Sequence, residues 1–205
     1  MRLGLIGPAE ENEEALARAA EFLVREVGID RAVYLDIDQA LDRLVQRWAA
    51  RLVGGDPSEQ AVWERATERC LGAASDAIDS FINAERERLS LQVFESLPGN
   101  GARLIELLNG RVAVMIRNKA ELDEEDMLPA SFLIFGSSHQ PLVKRVGSRW
   151  FLSPGTLGHF GIMTLEDRED GVHLVQFDSL CREIRRERLT TERGARLRIA
   201  GKADA

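Results

Sequence analysis

At 205 residues, with 44% hydrophobic and 30% charged side chains, the chain is long enough to bury a core unaided and too mixed for a disordered or fibrous class. Its formal net charge of -7 excludes general affinity for nucleic acid or an anionic membrane, because such binding needs a surplus of Lys and Arg against phosphate. Cys70 and Cys181 fit neither a secreted disulfide framework nor a C-x-x-C metal spacing, and read as buried small hydrophobes. Residues 1–6 run into Gly7-Pro8 without the apolar stretch of a signal peptide or membrane span, so a cytoplasmic location is expected. Lysine occurs only at Lys119, Lys144 and Lys202, the other cations being arginine, a bias of GC-rich bacterial genomes.

Residues 3–6 read as a short buried strand. The helix that follows carries Leu16, Ala20, Leu23, Val24 and Val27 at helical spacing. Glu10, Glu11, Glu13 and Glu14 stand at its start, where the macrodipole favours acids, and Gly28 follows its end. Residues 32–35 form a second buried strand, which predicts a right-handed parallel β-α-β crossover. Leu41, Leu44, Val45, Trp48 and Leu52 make the next helical stripe, stopped by Gly54-Gly55. Asp56, Pro57 and Glu59 then have the order of N-cap, N1 and N3 of a new helix with an apolar face of Val62, Ala66, Cys70 and Ala73. Ile78, Phe81, Ile82, Glu85 and Leu89 predict a further helix, although Leu89, Leu91 and Val93 would also suit a strand. Residues 39–95 therefore read as a helical elaboration inside one domain of residues 1–189.

From Ala102 the period becomes alternating, and Asn109-Gly110 predicts a hairpin joining residues 103–108 to 111–116. Further strands are predicted at 132–135, 142–146, 149–152, 160–165 and 172–177, with Asp178 or Ser179 capping a final short helix. Arg182, Arg185, Arg186, Arg188, Arg193, Arg196, Arg198 and Lys202 crowd the C-terminus, interrupted by Glu183, Glu187 and Glu192. They read as a solvated helix end and a flexible basic tail over 190–205 rather than an anion-binding arm. Trp48, Trp63 and Trp150 are expected to pack in the core or half-buried, and His159 and His173 to be a loop and a strand residue rather than ligands.

Residues 132–156 read FLIFGSSHQPLVKRVGSRWFLSPGT. Here Gly136-Ser137-Ser138-His139-Gln140-Pro141 is followed, through a hairpin, by Ser153-Pro154-Gly155-Thr156. This resembles the C-terminal signature of small bacterial calcineurin-like phosphoesterases, which carry G-H-T-H-x-P and then N-P-G-S at this spacing. Residues 3–23, with Asn12, are similar to the same family's opening strand, D-x-H-G-N loop and first helix. The resemblance implies an α/β (α+β) fold, a four-layer α-β-β-α metallophosphoesterase-like sandwich with a helical insertion.

Members of that family hold two metal ions on Asp, His and Asn side chains at strand ends, where the ions polarise phosphate and activate a water. Aligned on Asn12, the Asp of the first motif falls on Pro8 and its His on Glu10. The bridging Asp of the G-D motif falls on Ile37, or on Asp36 if the loop is one residue shorter, with Asp38 beside it. The G-N-x-D/E motif finds no counterpart between Ser75 and Gly101. The H-G-H motif falls on Arg117-Asn118-Lys119, exchanging neutral imidazoles for cations that repel metal, and Ser137 replaces the first His of G-H-T-H. His139 remains as the retained imidazole.

The resemblance thus implies a vestigial site of Pro8, Glu10, Asp36, Asp38, Arg117, Asn118, Lys119, Ser137 and His139, with no metal or other cofactor. Arg117 and Lys119 are expected to occupy the old metal space and to pair with Glu10, Asp36 or Asp38. Weak binding of one hard ion by those oxygens stays open. The expected function is a catalytically inactive binding or scaffolding protein that acts through a protein partner or a second copy of itself, as the metal-free phosphoesterase-like subunit of the retromer coat does. The helical elaboration is expected to form the interface. One alternative is a residual phosphodiesterase, either on one metal held by Asp36 and His139 or metal-free, with His139 as general acid and Arg117 as phosphate clamp. The other is non-hydrolytic binding of a phosphate-containing ligand, such as a nucleotide, by Arg117, Lys119 and His139.

Overall fold

The computed structural model describes residues 1–99 and 101–190. Its first half runs β1 (Arg2–Ile6), α1 (Glu13–Phe22), β2 (Arg31–Tyr34), α2 (Ala40–Val53), α3 (Val62–Cys70), α4 (Ser75–Ser90) and β3 (Phe94–Ser96). The second half runs β4 (Leu104–Leu108), β5 (Arg111–Ile116), α5 (Glu124–Met127), β6 (Ala130–Phe135), β7 (Leu142–Val146), β8 (Arg149–Ser153), β9 (Ile162–Arg168), β10 (Gly171–Phe177) and β11 (Glu183–Leu189). These strands form a six-stranded sheet in the order β11-β10-β9-β1-β2-β3 and a five-stranded sheet in the order β4-β5-β6-β8-β7. β1, β2 and β3 are mutually parallel, as are β5, β6 and β8.

Period-two alternation puts Leu3, Leu5 and Val33 on the inner face of the first sheet, where they meet Met115, Phe132, Ile134 and Leu152 of the second. Each such side chain contributes about 1.5–3 kcal/mol by leaving water. The opposite face of the first sheet, with Ile6, Ala32 and Tyr34, is covered by Leu16, Ala20 and Leu23 from the α1 segment and by Leu41 and Leu44 of α2. The outer face of the second sheet, with Val114, Ala130 and Leu133, is covered by Leu122 and Met127. The layers are therefore α-β-β-α, with a thin fourth layer because α5 is only 4 residues long.

Two close approaches bring the sheets together at one end. A Cβ on Gly136 would lie 1.9 Å from the Leu35 carbonyl oxygen, and one on Gly7 would lie 1.7 Å from that of Gly155. Only glycine fits at either place.

Several expectations are corrected. The helix after Gly54-Gly55 begins at Val62 with Ala61 as N-cap, not at Asp56. Asp56 instead accepts bonds from the backbone N–H and hydroxyl of Ser58, each at 2.9 Å, and closes a local turn. Glu10 and Glu11 precede α1 with positive φ of 49° and 69°, leaving Glu13 and Glu14 as the acids of its first turn. The stretch 91–93 is a 3-10 turn and the strand starts at Phe94. Among the described residues no helix follows Asp178: residues 183–189 form β11, paired antiparallel with β10. Their alternating charges suit an exposed edge, and the ladder to β10 satisfies backbone groups that a short isolated helix would leave to water. Arg193, Arg196, Arg198 and Lys202 lie outside the described residues. Cys70 and Cys181 are free and only half-buried. Trp63 is 80% exposed, against the expected packing, while Trp150 is buried. No helix among the described residues is long and apolar enough to cross a membrane.

Candidate functional site

The parallel strands of both sheets end on the same side, so the loops after β1, β2 and β3 face those after β5 and β6. A cleft of about 560 Å³ opens there between Ile37, Leu97 and Pro98 on one side and Ile116, Arg117 and Arg103 on the other.

The first sheet presents its loops through backbone bonds that continue the ladder past the strands. The N–H of Leu35 donates to the Ile6 carbonyl at 2.8 Å and that of Leu97 to the Tyr34 carbonyl at 3.0 Å. Pro8 is buried, and its carbonyl accepts from the Leu157 N–H at 3.0 Å. Its ring therefore occupies a structural slot and offers no donor atom. Tyr34 is fully buried on β2, its hydroxyl accepting from the Ala9 N–H at 3.1 Å and donating to Asp38 Oδ2 at 3.2 Å. Burial first, then the Asp38 and Asp36 charges, push its phenol well above the ordinary range, so it serves as a neutral strut. Asp38 is further committed through Oδ1, which accepts the Ala40 N–H at 2.9 Å at the start of α2.

The second sheet supplies the cations. Arg117, one residue past β5, donates from Nε to Asp36 Oδ1 at 2.8 Å across the cleft. Asp36 is largely shielded and Arg117 is half exposed, with side-chain exposures of 14% and 50%. Asn118 accepts the Ala120 N–H at 3.0 Å and the Ser137 hydroxyl at 3.4 Å, so it shapes its own loop. Lys119 opens a 3-10 turn (Lys119–Glu121), is exposed, and has no ion pair among the described residues. His139 and Glu10 face each other with Nδ1 and Oε1 3.3 Å apart, both well exposed.

The nine residues singled out from the sequence are thus gathered at one end of the molecule, though as separate pairs rather than one cluster. Arg117 meets Asp36, His139 meets Glu10, and Asp38 is held by Tyr34. The expected pairing of Lys119 with an acid does not form among the described residues. Sequence reasoning missed Tyr34, which looked like an ordinary strand residue, and Arg103, which lines the cleft and is held by Asp126 at 2.8 Å. It also placed nothing at the G-N motif. Gly99-Asn100 stands just past β3 in the chain, although the run Gly99-Asn100-Gly101-Ala102 lacks the motif's acid and Asn100 lies outside the described residues.

A dinuclear metal centre does not fit these side chains. Pro8 offers no ligand, Arg117 bonds Asp36, and no three His, Cys, Asp or Glu side chains among the described residues come together as a metal-holding group. His159 lies exposed in a loop, and His173 on β10 bonds Asp170 at 2.9 Å.

The two facing sheets, their strand order and their helical flanks define the calcineurin-like metallophosphoesterase fold. Among solved structures the chain is similar to the Escherichia coli phosphoesterase YfcE, with a TM-score of 0.51 and 14% identity over 93% of this chain and 100% of that one. A predicted phosphoesterase from Streptococcus pneumoniae gives a TM-score of 0.48 at 12% identity, over 92% of this chain and 99% of the other. Vps29 from Entamoeba histolytica, solved with zinc, gives 0.44 at 12% identity, over 92% and 98%. Likeness at these identities is one of fold. The sequence matches no family model and no curated protein.

Proposed function

We propose that this chain is a catalytically inactive metallophosphoesterase-fold protein that works as a binding or scaffolding module through protein contacts. The observation that carries this reading is the Arg117–Asp36 ion pair across the cleft. A guanidinium is always charged and takes up the carboxylate that a divalent ion would need, so it substitutes a fixed positive charge for an exchangeable one. Support for a binding role comes from Trp63 and Leu71, 80% and 83% exposed on the α3 segment, apolar groups that the fold itself does not use.

Purified protein supplied with manganese is expected to bind well under one metal per chain and to hydrolyse a chromogenic phosphodiester no faster than buffer. Two transition metals per chain, with turnover abolished by His139→Ala, would overturn the reading. A second reading, non-hydrolytic anion binding, is favoured by one feature: Lys119 is an exposed cation beside Arg117 with no acid paired to it among the described residues. Titration of inorganic phosphate followed by backbone amide shifts separates the two. Saturable shifts at residues 117–119 that Lys119→Ala abolishes would establish it.

A further inference from the structure

The two sheets have four outer strands, β11 and β3 in one and β4 and β7 in the other. Outer strands present unpaired backbone groups, and proteins guard them with charge or brevity. β11 carries Glu183, Arg185, Arg186, Glu187 and Arg188; β7 carries Lys144 and Arg145; β3 is 3 residues long. β4 has no such guard. It reads Leu-Ile-Glu-Leu-Leu, with Ile105 and Leu107 62% and 59% exposed on its outer face. Its one charge, Glu106, turns inward and pairs with Arg31 of the other sheet, which also holds Glu95.

We propose that β4 is a self-association edge, pairing antiparallel with β4 of a second copy about a twofold axis through Glu106 and joining two five-stranded sheets into one. Backbone parity fixes this register. The two-residue turn at Asn109-Gly110 makes Leu108 and Arg111 a hydrogen-bonded pair, so Glu106–Ala113 and Leu104–Met115 are hydrogen-bonded as well. The N–H and C=O groups of Ile105 and Leu107 therefore point away from β5, the Leu107 N–H meeting only the adjacent Glu106 Oε1 at 3.2 Å. A twofold axis perpendicular to the sheet maps each face onto itself, so facing residues must share a face.

Centred on Glu106, the pairing sets Ile105 opposite Leu107 of the second copy, both apolar and both with backbone groups that β5 leaves unpaired. Leu104 then faces Leu108, and the Leu-Ile-Glu-Leu-Leu sequence is complementary to itself. Centred one residue earlier, Leu107 would face the charged Arg103; one residue later, Ile105 would face Asn109. The two Glu106 carboxylates meet near the axis, each still bonded to its own Arg31, which it shares with Glu95. The interface is isologous and small, which implies a dimer that forms with rising concentration. It does not depend on how the strand-end site is read, and it places self-association on a sheet edge rather than on the helical elaboration.

Sedimentation velocity of the full chain, from low to high micromolar, should show the mass climbing from 22.9 kDa toward twice that value. Ile105→Lys and Leu107→Lys, both at exposed positions, should keep the thermal unfolding profile and raise the dissociation constant about tenfold or more. The double variant Trp63→Ser, Leu71→Ser should leave it unchanged. In a Cys70→Ser, Cys181→Ser background, mixing Ile105→Cys with Leu107→Cys protein should yield an oxidised heterodimer that neither gives alone. A strict monomer throughout, or a dimer unmoved by both lysine variants, overturns the proposal. A dimer that the lysines weaken but the mixed cysteines fail to link overturns the register.

Discussion

Between the two sheets, Leu3, Leu5, Val33, Met115, Phe132, Ile134 and Leu152 interlock without a polar atom among their side chains. Between α3 and α4 the buried side chains are Arg65, Glu85 and Arg88, and none of the apolar residues on those helices is buried. There Arg65 Nε and Arg88 Nε grip the two oxygens of Glu85 at 2.8 and 2.7 Å. Arg65 also reaches the carbonyls of Asp56 and Ser58, and Arg88 that of Pro57. One region is held by non-directional apolar burial spread over many residues, the other by a directional latch with a single acid at its centre. The contrast predicts that the α3–α4 pair is a separate, weaker unit of stability than the sandwich, to which α2 belongs through Leu41 and Leu44.

The largest effect should come from the sandwich. Phe132→Ala removes a fully buried ring from the inter-sheet core, and about 3–5 kcal/mol of global stability should be lost, read as a lowered urea midpoint with every probe moving together. If the midpoint moved by less than a third of that amount, the two-region picture would have its anchor in the wrong place.

Glu85→Ala should act more locally. It leaves Arg65 and Arg88 buried without their acid, a change of about 3 kcal/mol at the site. The consequence should be rapid amide exchange and proteolysis within residues 54–90 while the sheets stay protected. The wild-type latch should be pH-sensitive in a definite direction. Burial opposes ionisation of Glu85, but the bonds from Arg88 and Arg65 outweigh it and hold the carboxyl below the ordinary glutamate range. A depressed native pKa means the stabilisation is complete above the unfolded value of about 4.3 and fades as pH falls through the folded one. Exchange in α3 and α4 should therefore rise on acidification before exchange in β1 or β6 does; simultaneous loss would show the latch is not separate.

This division also explains what was legible in the sequence. The hairpin at Asn109-Gly110 and the strands of the sandwich followed from alternation and turn chemistry, because apolar burial leaves a periodic trace. Ser137 and His139, read from the motifs between Gly136 and Thr156, follow β6, and Arg117, read from the separate H-G-H alignment, follows β5. The failures cluster where polar groups decide. Asp56 looked like a helix cap but bonds Ser58 beside it, and β11 looked like a helix because its charges carry no apolar period. Tyr34 gave no signal at all, since its role depends on Ala9 and Asp38 converging from two loops.

The smallest effect should fall on Trp63. Its position on α3 suggested a buried stripe, yet the ring is 80% exposed and the turn below it is held through backbone, the Thr67 hydroxyl donating to the Trp63 carbonyl at 2.8 Å. Trp63→Ser keeps that carbonyl and removes only solvated apolar surface, so the urea midpoint should change by no more than about 0.5 kcal/mol equivalent. Exchange within α3 should likewise stay where Glu85 sets it. A larger loss would mean that Trp63 packs against the rest of the protein in solution, and the pair whose fully buried side chains are all charged would then have an apolar anchor after all.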